Sequence, residues 1–150
     1  MNVLFVCIAN VGRSQVAEAY FKLVSCHDAT SAGTLADETL ARSNPPSRQL
    51  KDSPKRRSVG YMSQYGVDIS EHERTQLTPA MVAQADRVVV IAEKETWPAY
   101  LVESEKVVFW DITDSVDMED DEARKIFDDV RLRVEELVRE IGLPTSAKSG

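Results

Sequence analysis

The stretch that decides the fold lies within the first fourteen residues: Asn2-Val3-Leu4-Phe5-Val6-Cys7-Ile8-Ala9-Asn10-Val11-Gly12-Arg13-Ser14. Residues 2–6 are apolar and rich in β-formers, which predicts a buried parallel strand. Apolar residues then recur at helical spacing, at Val16, Ala19, Tyr20 and Leu23. Cys7 is therefore expected at the carboxyl end of a strand, before a tight loop and a helix that begins near Ser14.

The loop between Cys7 and Ser14 has the composition of an oxyanion site. Loop amides that turn inward form an anion nest, and a helix N-terminus adds positive potential. The same field favours Cys7 as a nucleophilic thiolate near neutral pH. Arg13 offers a planar pair of donors to two phosphate oxygens, Ser14 can donate to the sulfur, and Gly12 permits close approach of the backbone. The spacing Cys-x5-Arg predicts attack on phosphorus, and the alternative is a buried cysteine beside a structural arginine.

The rest of the chain alternates strands with helices. Strands are predicted at residues 29–34, 86–92 and 106–110, and helices at residues 58–65, 78–82, 95–102 and 119–141. This alternation predicts a three-layer α/β fold, in which a four-stranded parallel sheet carries helices on both faces. The expected strand order is 2-1-3-4. That order places Cys7 at the topological switch point of the sheet. The 150 residues are expected to form a single domain (1–150) with a flexible tail at about 145–150.

Composition excludes several classes of protein. The chain has 43% hydrophobic and 29% charged residues, as is usual for a soluble globular protein. A cytoplasmic protein is expected, with no membrane association, because there is no long apolar run and residues 2–6 form a strand rather than a cleavable leader. The two cysteines make no disulfide framework, and the net charge of −7 argues against nucleic-acid binding. A monomer or weak dimer is expected.

Residues 35–57 show no hydrophobic period and are predicted to form one long basic loop. Six basic residues stand against three acidic ones there, so the segment carries +3 and the remainder of the chain −10, which together give the net −7. A cationic loop would attract phosphorylated or acidic partners. The alternative is a solvated surface loop without that role.

Cys7, Asn10, Arg13 and Ser14, placed after an apolar strand, resemble the signature of the low-molecular-weight protein tyrosine phosphatases. The resemblance implies a phosphotyrosine phosphatase I-like fold and hydrolysis of phosphomonoesters through a phosphocysteine intermediate. It implies a phosphotyrosine-containing protein or a small aryl phosphate as substrate, with inorganic phosphate as product. No metal or organic cofactor is expected, because loop amides and Arg13 supply the charge stabilisation. The implied phosphate-binding residues are Ile8, Ala9, Asn10, Val11, Gly12 and Ser14.

Two supporting residues follow from the same resemblance. Ser31 lies in the segment Ser31-Ala32-Gly33-Thr34, which resembles a family segment whose serine joins the hydrogen bonds around the loop asparagine. His72 lies in a segment that resembles the family pattern Gly-Ile-x-x-Ser, His, then Arg-Gln-Leu, with Thr75 where the arginine is usual. His72 is therefore expected to hydrogen-bond Asn10 and to hold the loop in shape.

The general acid is expected after the fourth strand, where the sequence reads Trp110-Asp111-Ile112-Thr113-Asp114-Ser115. A phosphomonoester leaves as an oxyanion, which a carboxylic acid must protonate. Asp114 matches the family aspartate that precedes a proline, although Ser115 replaces that proline. Asp111 is the alternative acid.

Two other functions stay open at this point. An arsenate reductase of the same fold needs further cysteines downstream of the middle strand, and residues 92–97 contain none. A non-catalytic phosphate- or phosphoprotein-binding module would keep the loop and lack a working acid. Among phosphatases, Val11 stands where similar bacterial phosphoarginine phosphatases carry threonine, which favours phosphotyrosine.

Overall fold

A computed structural model of the chain describes residues 1–43, 46–53, 57–113 and 119–142. Four strands form one sheet: β1 (Asn2–Cys7), β2 (Asp28–Gly33), β3 (Arg87–Val90) and β4 (Val107–Phe109). Their order is β2-β1-β3-β4, and each neighbouring pair is parallel. The predicted order 2-1-3-4 is confirmed.

The helices are α1 (Arg13–Val24), α2 (Ala36–Ala41), α3 (Arg57–Ser63), α4 (Pro79–Gln84), α5 (Ala99–Val102) and α6 (Asp120–Ile141). Side chains of a strand alternate between its faces, so Phe5 of β1 packs with α1, α3 and α6. Leu4 and Val6 pack on the opposite face with α4 and α5. Helices therefore cover both faces, and β1 is apolar throughout because it is buried on both sides.

The sheet register positions the loop that follows β1. Cys7 pairs with Gly33, the last residue of β2, and Val6 pairs with Val90, the last residue of β3. The carboxyl ends of these three strands therefore meet at one edge of the sheet. The loop from Cys7 to the start of α1 lies at this edge, in the crevice that parallel sheets use for ligands.

The prediction of one long loop over residues 35–57 was wrong for much of its length. Residues Ala36–Ala41 form α2, and residues Leu50–Asp52 form a 3-10 turn. Leu40 and Leu50 are buried and hold both pieces against the body of the protein. A helix of six residues covers less than two turns, which is too short to show a hydrophobic period.

The prediction of a single helix over residues 95–102 was also wrong. A 3-10 turn at Lys94–Thr96 is separated from α5 by Trp97 and Pro98. Proline disfavours a helical backbone in the residue before it, so the chain is extended at Trp97 and restarts a helix after Pro98. In contrast, α6 begins and ends within one residue of the predicted range. The predicted tail at 145–150 lies outside the described residues.

None of the helices in the described ranges combines the length and the apolar character that crossing a membrane requires.

Candidate active site

Every carbonyl of the loop from Cys7 to Gly12 is held from outside by a hydrogen-bond donor. Thr34 N donates to Cys7 O (2.8 Å), Leu35 N to Ile8 O (2.9 Å) and Arg74 Nε to Ala9 O (3.2 Å). Gln15 Nε2 donates to Asn10 O (3.2 Å), Ser58 Oγ to Val11 O (2.6 Å) and Val16 N to Gly12 O (3.0 Å). These donors come from α1, α3, the end of β2 and the segment before α4. Four separate parts of the chain therefore fix the conformation of one loop.

The loop amides point the other way. In a trans peptide the carbonyl and the following N–H lie on opposite sides of the chain. Because the carbonyls of residues 7–11 face their donors, the N–H groups of residues 8–12 face the interior of the loop. Within the described part of the chain these five amides donate to no protein group, so they are available to a bound anion, and we refer to them as the nest.

Cys7 comes directly before the five residues of this nest. Its side chain is 3% exposed, and its Sγ lies 2.9 Å from Ser14 Oγ. Ser14 Oγ also accepts a hydrogen bond from Asn10 Nδ2 at 2.7 Å. Its own proton is therefore available to the Cys7 sulfur, so Ser14 can donate to that sulfur.

Asn10 is the centre of the hydrogen-bond network beneath the loop. It is fully buried and has a φ of 57°, the left-handed conformation that asparagine tolerates best among residues with a side chain. Its Nδ2 donates to Ser14 and, at 3.1 Å, to Ser31 Oγ. Its Oδ1 accepts from Thr75 N at 2.8 Å and from Gln15 Nε2 at 3.2 Å. These four contacts hold the strained turn in place.

Ser31 lies where the resemblance predicts it, within hydrogen-bond distance of Asn10, and it donates in turn to Glu18 Oε1 at 2.6 Å. The prediction that His72 contacts Asn10 directly was wrong. His72 Nδ1 lies 3.3 Å from Gln15 Oε1, and Gln15 makes the bond to Asn10. Gln15 is long enough to fill the space between them, so it takes the place that the histidine was expected to have.

Arg13 is the first residue of α1 and is 3% exposed. Its Nη1 donates to Ile91 O at 2.9 Å and to Ile112 O at 2.7 Å, and its Nη2 lies 3.4 Å from Glu93 Oε1. These acceptors follow the ends of β3 and β4. The guanidinium is therefore held by the segments that follow β3 and β4.

Besides Gln15, sequence reasoning missed three residues that shape the loop. Arg74 is 5% exposed and binds Ala9 O, Ser58 binds Val11 O, and Gly33 leaves room for the loop to pass. A Cβ on Gly33 would meet the Ile8 carbonyl oxygen inside van der Waals contact. The resembled pattern has an arginine at the position of Thr75, and in this chain an arginine stands one residue earlier, at Arg74. That neighbouring arginine was the one sequence signal that pointed to Arg74.

Of the two candidate acids, Asp111 lies within the described residues and Asp114 does not. Asp111 is exposed and directly follows Trp110 after the end of β4. Asp114 lies outside the described residues. The chain enters that segment from Ile112, whose carbonyl accepts a hydrogen bond from Arg13.

The basic segment is partly neutralised by neighbouring carboxylates. Arg48 lies 2.7 Å from Asp37, Arg42 lies 3.6 Å from Glu38, and Arg57 Nε lies 3.2 Å from Asp120. Exposed pairs of this kind contribute little energy, but they reduce the positive field that the sequence predicts. No three acidic, histidine or cysteine side chains in the described ranges converge as metal ligands do.

The family of the chain follows from comparison with known proteins. A model of the low molecular weight phosphotyrosine protein phosphatases matches residues 2–146. The chain belongs to this family. The match begins at β1 and includes the loop, Arg13 and the segment that carries both candidate acids.

The curated relatives match a shorter part of the chain than the family model does. A probable low molecular weight protein-tyrosine-phosphatase, EpsP of Ralstonia solanacearum, is 32% identical over 97 residues, which are 60% of this chain and 54% of that protein. The chain thus spans about half the length of the curated relatives it matches.

Solved structures share the fold. Vibrio vulnificus Wzb in complex with benzylphosphonate is 20% identical, covers 93% of this chain and 97% of that one, and has a TM-score of 0.75. An arsenate reductase in its phosphate-binding state is 24% identical, covers 94% of this chain and 98% of that one, and has a TM-score of 0.73. At these identities the likeness shows the architecture, and the chemistry of this chain must be argued from its own residues.

Proposed function

We propose that this protein is a cysteine-dependent phosphatase that hydrolyses aryl phosphomonoesters, with phosphotyrosine in a protein as the substrate class. The observation that supports this most is that donors hold every loop carbonyl from Cys7 to Gly12, which leaves the five amides that follow Cys7 to a bound anion. A phosphoryl group in this nest receives amide donors on its equatorial oxygens while Cys7 lies in line with the bond to be broken. Arg13 adds a bidentate donor pair as charge spreads in the transition state.

The reaction has two displacement steps. Cys7 attacks phosphorus, so that an S–P bond forms while the bond to the leaving oxygen breaks, and an aspartic acid gives that oxygen its proton. A water molecule then attacks the phosphocysteine and gives a proton to the same aspartate, while Cys7 leaves as a thiolate that Ser14 stabilises. Inorganic phosphate is released, and each group returns to its starting state.

The proposed acid is Asp114. The Ile112 carbonyl is bound to Arg13, and two residues of chain span at most about 7 Å, so the length of the chain allows a carboxyl group at position 114 to reach the leaving oxygen. Asp111 lies on the other side of Ile112 and is exposed. Substitution of each aspartate separates the two assignments.

The test is hydrolysis of a chromogenic aryl phosphate in the presence of EDTA. We expect activity in the unmodified protein, none in Cys7→Ser, and a kcat lower by about a hundredfold in Asp114→Asn. Asp111→Asn is the matched control and should retain activity. Full activity in Cys7→Ser would refute the proposal, whereas a defect in Asp111→Asn alone would move the acid to Asp111. Comparison of phosphotyrosine and phosphoarginine peptides then tests the substrate class.

The positions of the cysteines argue against a disulfide relay of the kind an arsenate reductase uses. Cys7 and Cys26 are the two cysteines of the chain, and both are free thiols. Cys7 pairs with Gly33 at one end of β2, while Cys26 precedes the opposite end of that strand. A strand of this length separates them by about 20 Å, far beyond the distance for a disulfide.

A further inference from the structure

We propose that Arg74 is a positioning residue that turns the Asn10 amide toward the bound phosphoryl group and supplies a second buried positive charge to the loop. This inference rests on the proposed function, because it assigns a role to Arg74 in binding the anion on which Cys7 acts.

The contacts of Arg74 join the loop to the segment that follows β2. Its Nε donates to Ala9 O at 3.2 Å, and its Nη2 donates to Thr39 Oγ1 at 2.7 Å. Its Nη1 lies 3.4 Å from Ser43 Oγ. Thr39 belongs to α2, so this helix holds the far end of the guanidinium while the near end holds the loop.

The bond to Ala9 O sets the direction of one loop amide. Ala9 O and the Asn10 N–H belong to the same peptide group and point in opposite directions. When the guanidinium draws the carbonyl outward, the Asn10 N–H turns toward the interior of the nest. Arg74 is the only one of the six donors on the loop carbonyls that carries a charge, and this bond is therefore charge-assisted.

The charge of Arg74 has no carboxylate partner among the described residues, where its three acceptors are a carbonyl and two hydroxyls. An arginine stays protonated even when buried, and a buried charge needs compensation. Burial lowers the pKa of Arg74, and the negative charge of Cys7 opposes this effect. The thiolate, and after it the phosphate dianion, are thus the negative charges that Arg74 is placed to stabilise.

The backbone of Arg74 is also fixed. Its backbone carbonyl accepts a hydrogen bond from Arg48 Nη1 at 3.2 Å, and Arg48 Nη2 binds Asp37 at 2.7 Å. The segment that was predicted to attract substrate thus has a second effect. Arg48 holds the backbone of the residue whose guanidinium binds the loop.

The experiment measures anion binding and thiol reactivity separately from turnover. In a Cys26→Ser background, alkylation of Cys7 by iodoacetamide is followed against pH and against the concentration of inorganic phosphate. Arg74→Met removes the charge and keeps the length of the side chain, and Arg74→Lys keeps the charge. Arg42→Gln is the matched control, because the Arg42 side chain is 72% exposed and its substitution removes one positive charge from the same segment.

In Arg74→Met we expect the dissociation constant for phosphate to rise about tenfold and the midpoint of the alkylation profile to move to higher pH. Arg74→Lys should recover most of both effects, and Arg42→Gln should show neither. Arg74→Gln provides a second charge-free variant if Arg74→Met does not fold.

A folded, charge-free variant with unchanged phosphate binding and an unchanged alkylation profile would overturn the proposal. So would equal defects in Arg74→Lys and Arg74→Met, which would indicate a role in packing alone. Failure of the proposed function gives a different result: phosphate protects Cys7 and Arg74→Met weakens that protection, yet the protein hydrolyses no aryl phosphate. Absence of phosphate protection in the parent protein would overturn both.

Discussion

Substitution of Gly33 by alanine should displace the catalytic loop without changing any group that takes part in the chemistry. Gly33 is fixed by its own backbone, since its N–H donates to Thr75 O at 2.8 Å and its carbonyl accepts from Leu77 N at 2.9 Å. A methyl group there would lie 3.0 Å from the Asn10 nitrogen and would press still closer on Ile8 O. All of these neighbours are backbone atoms, so no side chain can rotate to relieve the contact.

The size of the effect follows from these distances. An ordinary contact between such atoms is about 3.5 Å, so the loop must shift by at least about half an ångström. Overpacking against backbone costs about 2 to 3 kcal/mol of unfolding free energy. A shift of this order in the groups that hold the phosphoryl group should lower kcat/KM by about tenfold to a hundredfold.

The assay pairs urea denaturation with aryl phosphate hydrolysis, and Gly60→Ala is the matched control. Gly60 lies inside α3, and among the described residues no atom beyond its chain neighbours and its own helix backbone lies within 4 Å of an added Cβ. Alanine there should therefore stabilise the protein by about 0.5 to 1 kcal/mol at unchanged kcat/KM. If Gly33→Ala retains both stability and kcat/KM, the loop does not depend on close approach of β2, and the account of how it is held is wrong.

Two further predictions concern Asn10 and Tyr61. Asn10→Gly should lower the unfolding free energy measured in urea by about 3 kcal/mol, because four side-chain hydrogen bonds are lost. Asn10→Ala should lower it by about 1 kcal/mol more, because alanine is strained at φ 57°. Equal stability of the two variants would refute the strain at this position. Burial and a hydrogen bond to Asp128 raise the pKa of Tyr61, so its stabilisation is complete below the pKa of an unfolded tyrosine, about 10, and is lost as pH rises above it. Tyr61→Phe should cost about 1 kcal/mol at neutral pH and flatten the fall in melting temperature above pH 10, and an unchanged alkaline slope would contradict this.

The sequence predicts the parts of this structure that local pattern controls. The strand at residues 2–6 was predicted because it is a continuous apolar run, and residues 3–6 are fully buried. Helix α6 was predicted because its apolar residues recur at the helical period, and its buried residues follow that spacing along one face. The parallel sheet followed from alternation of strands with helices, since right-handed crossovers connect parallel strands. Short helices such as α2 contain too few residues to show a period and were missed.

The shape of the loop depends on contacts that local pattern does not reveal. The bond from Thr75 N to Asn10 Oδ1 joins residues 65 positions apart, and the bond from Arg74 to Ala9 O spans the same separation. Resemblance to the family located the segment around His72 and did not reveal that Gln15 lies between that histidine and Asn10. Whether Gln15 or His72 contacts Asn10 depends on the lengths of their side chains. That difference matters only once the fold has brought the three residues together.

The most direct test of the central claim is capture of the covalent intermediate. The Asp114→Asn protein is mixed with an aryl phosphate, quenched in acid within one turnover, digested and analysed by mass spectrometry. The account predicts the mass of one phosphoryl group on the peptide that contains Cys7, and none on the same peptide after prior alkylation of Cys7. Substrate turnover by the unmodified protein with no phosphoryl group on Cys7 at any quench time would contradict it.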